Sequence, residues 1–236
     1  MKEHYLSDNI VIIDNKTFYQ DKQIKKHNWQ LKLSELGWEK LHKQWIRKLN
    51  KLHNPYPNNS LFGYLECGDD GDCLFHCISY SLNTKCDEFY DSSDIRRLVA
   101  ESITNDQFDN IISCYRCMKD LDDFDESWDP YKIDTLEKFK EELCKSGHSY
   151  WGDHLLPQLI MDVFNINIYI LSQDEINDIY EPYLTANIYD SSKNTIFLIH
   201  ENNIHFKLLG HFDDIMITNF NHNNIPLELK KMFNLK

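Results

Sequence analysis

The sequence predicts an α/β (α+β) fold in which a small central β-sheet is flanked by helices. Three features predict it. Segments with helical apolar period come first in the chain, and the β-rich runs come mostly late. Apolar content of 42% with 27% charged residues fits a soluble chain with a substantial core. Residues 1–60 are expected to form a basic helical extension and residues 61–212 the main domain. Residues 213–236 are expected to pack on that domain or extend it.

An amphipathic helix is expected from Ser34 to Leu52. Trp38, Leu41, Trp45, Leu49 and Leu52 recur at spacings of three and four, and Lys40, Lys43, Arg47, Lys48 and Lys51 cover the other side. The two tryptophans lie on the apolar stripe and not among the lysines, so this helix is read as a packing element and not as a nucleic-acid or membrane surface. The run His53 to Ser60 holds Pro55 and Pro57 and ends the helix, which places the domain boundary there.

Leu61 to Cys67 is a short, extended run. Gly68-Asp69-Asp70-Gly71-Asp72 forms a tight polar turn into a buried helix that opens at Cys73. Ser93 caps a helix with Ile95, Leu98, Val99 and Ile103 on one face. Lys119 to Asp129 reads as an acidic loop. Asp134 with Glu137 has capping-box spacing for the helix that ends before Gly147, and Asp153 caps the helix through Phe164. Ile166 to Leu171 reads as a strand. Thr195–Ile199 and His205–Leu209 read as a β-hairpin around Glu201-Asn202-Asn203.

The net charge of −13 is uneven. Residues 1–60 carry 11 Lys+Arg against 6 Asp+Glu, and the rest of the chain is net −18. The acidic part repels nucleic acid and favours a basic protein partner. No run approaches the ~20 apolar residues of a membrane span, and the N-terminus does not read as a signal peptide. A cytoplasmic location with reduced thiols is the expectation for the seven cysteines.

Cys73 stands where the polar turn meets its helix. A thiol with a free pKa of ~8.5 is activated at a helix N-terminus, where unpaired N–H groups favour the thiolate. The N–H groups of Asp70 to Cys73 are expected to face a developing oxyanion. Position alone separates Cys73 only partly from an ordinary core cysteine such as Cys77. The string Asp70-Gly71-Asp72-Cys73-Leu74-Phe75 matches, at every position, the Asp-Gly-(Asn/Asp)-Cys-Leu-Phe motif of the ovarian-tumour (OTU) cysteine proteases. The resemblance implies a papain-related fold, Cys73 as nucleophile, and Asp70 as a residue of the oxyanion loop or third catalytic member.

The general base must be a histidine near Cys73 in space and remote in sequence. His205 opens the second strand of the late hairpin and is followed by Phe206, which resembles the OTU strand–loop–His–aromatic element; His200 ends the first strand and lacks that aromatic residue. Many OTU enzymes place Asn or Asp two residues after the histidine to orient it. This chain has Lys207, which cannot accept a hydrogen bond from a ring N–H. Asn203 and Asp70 are the candidates for that role, unless the pair works as a dyad.

A third block, Tyr150-Trp151-Gly152-Asp153-His154-Leu155-Leu156, resembles the family's Trp-Gly-Gly segment with Asp153 in place of the second glycine. Cys114 and Cys117 have metal-ligand spacing but no second pair, so neither metal nor cofactor is expected. The resemblance implies a thiol-dependent deubiquitinase cleaving isopeptide bonds at the C-terminal glycine of ubiquitin or polyubiquitin. A protease for another ubiquitin-like modifier, or a non-catalytic ubiquitin-binding module, are the alternatives.

Overall fold

The computed structural model describes residues 3–53, 60–68, 71–84, 89–124, 127–183 and 188–236. The opening of the chain corrects the expectation of a helical extension. It forms a four-stranded antiparallel sheet of β1 (Glu3–Tyr5), β2 (Ile10–Ile13), β3 (Lys16–Tyr19) and β4 (Lys22–Gln23). Asp14-Asn15 and Gln20-Asp21, all with positive φ, make its last two turns, a conformation that Asp and Asn adopt far more readily than β-branched residues.

The single helix expected over Ser34–Leu52 is also corrected. After α1 (Trp29–Leu33), a 3₁₀ turn at Ser34–Leu36 ends on Gly37 with φ 83°. β5 (Trp38–Lys40) follows, and the helix proper, α2, spans Lys43–Leu52 with the His42 side chain accepting the Gln44 N–H at its start. Trp38 and Leu41 fit a helical stripe by spacing, but a left-handed glycine stops a helix. The three residues after it then gain a strand partner, with Trp38 opposite Leu65 and Lys40 opposite Gly63. Trp38 and Trp45 are both buried, as the stripe required.

Beyond the proline-containing segment, of which residues 54–59 lie outside the described residues, the chain forms β6 (Phe62–Leu65) and α3 (Cys73–Asn83). Next come α4 (Ser92–Ser102), α5 (Asn105–Asp120), α6 (Leu136–Leu143) and α7 (Leu156–Phe164). Capping residues differ from expectation by one or two places. Asp91 caps α4 in a reciprocal box with Asp94, and Thr135 caps α6. Asp153 Oδ1 instead accepts the Leu155 N–H just ahead of α7, whose N-cap residue is Leu155. α5, absent from the sequence reading, is capped by a Thr104/Gln107 box and takes up the first part of the run expected as an acidic loop.

The remaining strands are β7 (Ile166–Asp174), β8 (Ile179–Tyr183), β9 (Asn194–Glu201), β10 (His205–Asp213), β11 (Ile215–Ile217) and β12 (Asn219–Phe220), and α8 (Leu227–Met232) closes the chain. The main sheet has the order β5-β6-β10-β9-β7-β8, with β11 added to β10 and β12 to β9. The β7–β9 pair is parallel and the other pairs are antiparallel.

Two cores sandwich the main sheet. On one face Phe206, Leu208 and Phe212 of β10 pack with Leu74, Phe75 and Ile78 of α3 and with α4 to α7. On the other, Phe197, Ile199 and Leu209 pack with Trp45 and Leu49 of α2 and Leu229 of α8. The continuous apolar run Ile196–Ile199 of β9 is buried on both faces of the sheet by these two cores. Among the described residues no helix is long and apolar enough to cross a membrane.

Candidate active site

Cys73 is the first residue of α3 and retains 2% of its surface. It belongs to the buried cluster of α3 and β10, and its sulfur has a polar partner there. The Phe206 N–H donates to Cys73 Sγ at 3.4 Å, and the thiol acts on the neighbouring His205 ring as the first cause of its raised pKa. One turn along, Cys77 Sγ donates to the Phe206 carbonyl at 3.6 Å, so two sulfurs spaced i, i+4 meet the backbone N–H and C=O of one residue of β10. The neighbouring thiol differs in kind. Burial, followed by the interaction with the Cys67 thiol, pushes the Cys77 thiol well above its usual range, which suits a packed residue and not a nucleophile.

His205 opens β10, where the tight Asn202-Asn203 turn, both residues at positive φ, delivers it opposite Glu201. Its Nε2 is hydrogen-bonded to Glu66 Oε1. The Cys73 bond and then the Glu66 bond, set against burial, raise the His205 pKa to about 10. The Glu66 carboxyl is pushed up by burial, but the His205 bond and charge and the Lys207 ammonium outweigh that and hold it below the ordinary range.

The partner of His205 is therefore a residue the sequence reading did not name. Asn203 lies on the hairpin turn and has no hydrogen bond to the ring among the described residues, and Asp70 lies outside them. Glu66 follows directly after β6, whose register with β10 sets Leu65 opposite Leu208. One further step sets Glu66 opposite Lys207, on the same face as His205. Lys207 Nζ lies 3.4 Å from Glu66 Oε2 and 2.8 Å from Glu201 Oε2. The lysine does not orient the histidine; it pairs with the carboxylate that does. The signal was present in the sequence as a basic residue where an acceptor was expected, with an acid just ahead of the nucleophile turn.

His200 is half-buried, stacks on Phe206 with centroids 4.2 Å apart, and is lowered to about 4, chiefly by burial, which leaves it neutral. A cavity of about 720 Å³ is lined by Trp151, Gly152, His154, His200, Asn203 and Ile204, among others; it reaches the residue before His205 but neither His205 nor Cys73 lines it. The Trp151-Gly152 segment is tied to the nucleophile turn, since the Gly152 N–H donates to the Gly71 carbonyl at 3.2 Å. A Cβ at Gly152 would lie 2.7 Å from Leu74 Cβ, so only glycine lets this segment approach α3 so closely. Cys114 and Cys117 are exposed on α5, and no group of three or more His, Cys, Asp or Glu side chains is arranged to hold a metal among the described residues.

A thiol at a helix N-terminus, an imidazole from a remote strand and a carboxylate behind it make up the constellation of a cysteine protease. The family model for OTU-like cysteine proteases matches residues 68–212, and the chain belongs to that family. Similar solved structures include an ovarian tumour domain in complex with ubiquitin (19% identity, 72% of this chain and 80% of that one, TM-score 0.43). Others are an OTU deubiquitinase from Wolbachia pipientis wMel (16% identity, 75% and 99%, TM-score 0.43) and the Hazara virus OTU bound to ubiquitin (13% identity, 66% and 87%, TM-score 0.40). No curated protein sequence matches the chain.

Proposed function

We propose that this protein is a deubiquitinase that hydrolyses the isopeptide bond at the C-terminal glycine of ubiquitin, with Cys73 as nucleophile, His205 as general acid and base, and Glu66 as the group that orients His205. The observation that carries the reading is the His205 ring, bonded to Glu66 and set next to the Phe206 N–H that reaches the Cys73 sulfur, in a chain of the OTU-like cysteine protease family. With Nε2 taken by Glu66, Nδ1 is the nitrogen left to exchange a proton with Sγ. In the first step the Cys73 thiolate adds to the glycine carbonyl carbon. N–H groups of the nucleophile turn hold the oxyanion, and imidazolium protonates the lysine amine as the C–N bond breaks, leaving a thioester. In the second step neutral imidazole takes a proton from water as it adds to the thioester. The thiolate leaves, and the ring ends charged.

The finer assignments belong to the same proposal. Residues 61–212 carry the catalytic fold, and the flexible C-terminus of ubiquitin enters along the cavity beside Trp151 and Gly152. The net charge of −18 over residues 61–236 suits a basic partner face. The reduced cytoplasm is the proposed place of action, since the mechanism requires a free thiol at Cys73. A non-catalytic binding role drew its support from Lys207, and the pairing of Lys207 with Glu66 removes that support.

The test is a panel of differently linked ubiquitin dimers, together with ubiquitin carrying a C-terminal electrophile. The wild-type protein is expected to cleave dimers and to form a covalent adduct at Cys73, and Cys73→Ala to do neither while keeping its circular dichroism spectrum. Cleavage by Cys73→Ala would remove Cys73 from the mechanism. Adducts with another ubiquitin-like modifier and none with ubiquitin would change the substrate.

A further inference from the structure

Arg96 is fully buried on α4, among Ile95, Val99 and Ala100, on a face where the sequence pattern calls for apolar residues. A guanidinium there needs polar partners for its donors, and it finds them around the nucleophile turn. Nε donates to Asp72 Oδ1 at 2.6 Å, and Nη2 lies 2.5 Å from the same oxygen. Nη2 also donates to the carbonyls of Tyr150 at 2.7 Å and Gly71 at 3.3 Å, and Nη1 to that of Leu143 at 2.9 Å. The Phe75 ring covers the guanidinium at 4.0 Å. The second oxygen of Asp72 accepts the Gly147 N–H at 2.8 Å.

The consequence lies in one peptide unit. The Gly71 carbonyl is drawn inward by Arg96 and by the Gly152 N–H. A trans peptide is planar with C=O and N–H pointing opposite ways, so the Asp72 N–H points outward, on the side of the turn where Cys73 begins α3. Among the described residues neither the Asp72 nor the Cys73 N–H has an acceptor. Gly71 sits at φ 80°, a conformation from which the peptide could rotate at little cost if its carbonyl were released. Asp72 makes no side-chain cap to α3, because both carboxylate oxygens are committed to Arg96 and Gly147.

We propose that Arg96 is a positioning residue that locks the Gly71–Asp72 peptide with its N–H presented to the oxyanion formed at Cys73, an inference that rests on the cysteine-protease reading of that site. Arg96 touches no substrate. It acts through the carbonyl it holds, and its guanidinium is needed for its fork of donors as well as its charge.

Arg96→Lys keeps the charge and removes the fork. With a ubiquitin C-terminal fluorogenic amide, kcat is expected to fall on the order of 10²-fold with KM within ~3-fold, the scale of losing one oxyanion donor. Alkylation of Cys73 by iodoacetamide, which needs the thiolate but no oxyanion donor, is expected to stay within ~3-fold of wild type. In ¹⁵N–¹H spectra the Gly71 and Asp72 amides are expected to shift while those of the β9–β10 hairpin do not. Turnover and alkylation falling in parallel, or kcat unchanged, would overturn the assignment and leave Arg96 a structural residue. Should Arg96→Lys not fold, Asp72→Asn, which keeps an acceptor for Arg96 but weakens the clamp, is read by the same three measurements. Wild-type protein inert toward ubiquitin would sink the functional reading alone, and the amide shifts would still decide the role of Arg96.

Discussion

Glu66 and His205 are 139 residues apart in the chain and meet through a hydrogen bond to the ring's Nε2. The antiparallel pairing of β6 with β10 brings them together, and Lys207 holds the carboxylate from its other oxygen. Replacing Glu66 by Ala leaves the imidazole unoriented and its charge uncompensated. We expect kcat/KM on ubiquitin substrates to fall roughly 10²-fold. Asn203→Ala, by contrast, is expected to stay within about twofold. The reverse ranking in steady-state kinetics would return the orienting role to the hairpin turn.

The pH profile should carry the same pairing. His205 is raised to about 10 by its bonds to Cys73 and Glu66, against an ordinary value near 6.5. The imidazolium that protonates the leaving amine is then kept at neutral pH and lost only as pH rises through about 10. The alkaline limb of kcat/KM is expected near that value as a property of the coupled pair, and Glu66→Gln should move it to lower pH. The sign for stability is the same. The contribution of His205 is complete below ~6.5 and disappears as pH climbs through about 10. A wild-type alkaline limb near 7 would contradict the geometry.

Acid should weaken the fold through two other rings. His200 and His211 are each lowered to about 4, with burial the largest cause. Between pH 6.5 and 4 the unfolded chain binds protons that the folded chain does not, so stability falls as pH drops through that window. Thermal melting should lose on the order of 5 °C or more across it. His211 packs against Phe62 with centroids 4.8 Å apart, and His211→Phe should keep that contact and flatten the acid slope. A variant with an unchanged slope would clear His211 of the effect.

Trp38 tests whether the first segment belongs to the core. Its ring covers Gly210 so closely that a Cβ there would lie 2.6 Å from it, with Met216 Sδ at 2.7 Å. Gly210→Ala is expected to cost ~1–3 kcal/mol by overpacking and Trp38→Ala ~3–5 kcal/mol by leaving a cavity. In the Trp38→Ala background Gly210→Ala should cost less, because the closer of its two clash partners is gone and Met216 gains room to move aside. Urea unfolding of the two single variants and the double variant gives the coupling. Strict additivity would mean that the ring does not sit over Gly210.

What the sequence determined by itself is what local chemistry writes into contiguous residues. The Asp70–Phe75 string, the start of α3 at Cys73 and the β9–β10 hairpin were readable because each depends on neighbours within a few positions. Trp38 and Trp45 were readable as buried, though not as strand and helix, since a stripe at spacings of three and four does not register a left-handed glycine between them. Only the tertiary structure decided which acid serves His205 and where Arg96 spends its donors. Both depend on register and packing between segments far apart in the chain: a one-residue slip of β6 against β10 would turn Glu66 to the opposite face. Partners for a buried charge are chosen by whichever remote carbonyls the folded core brings within hydrogen-bond reach.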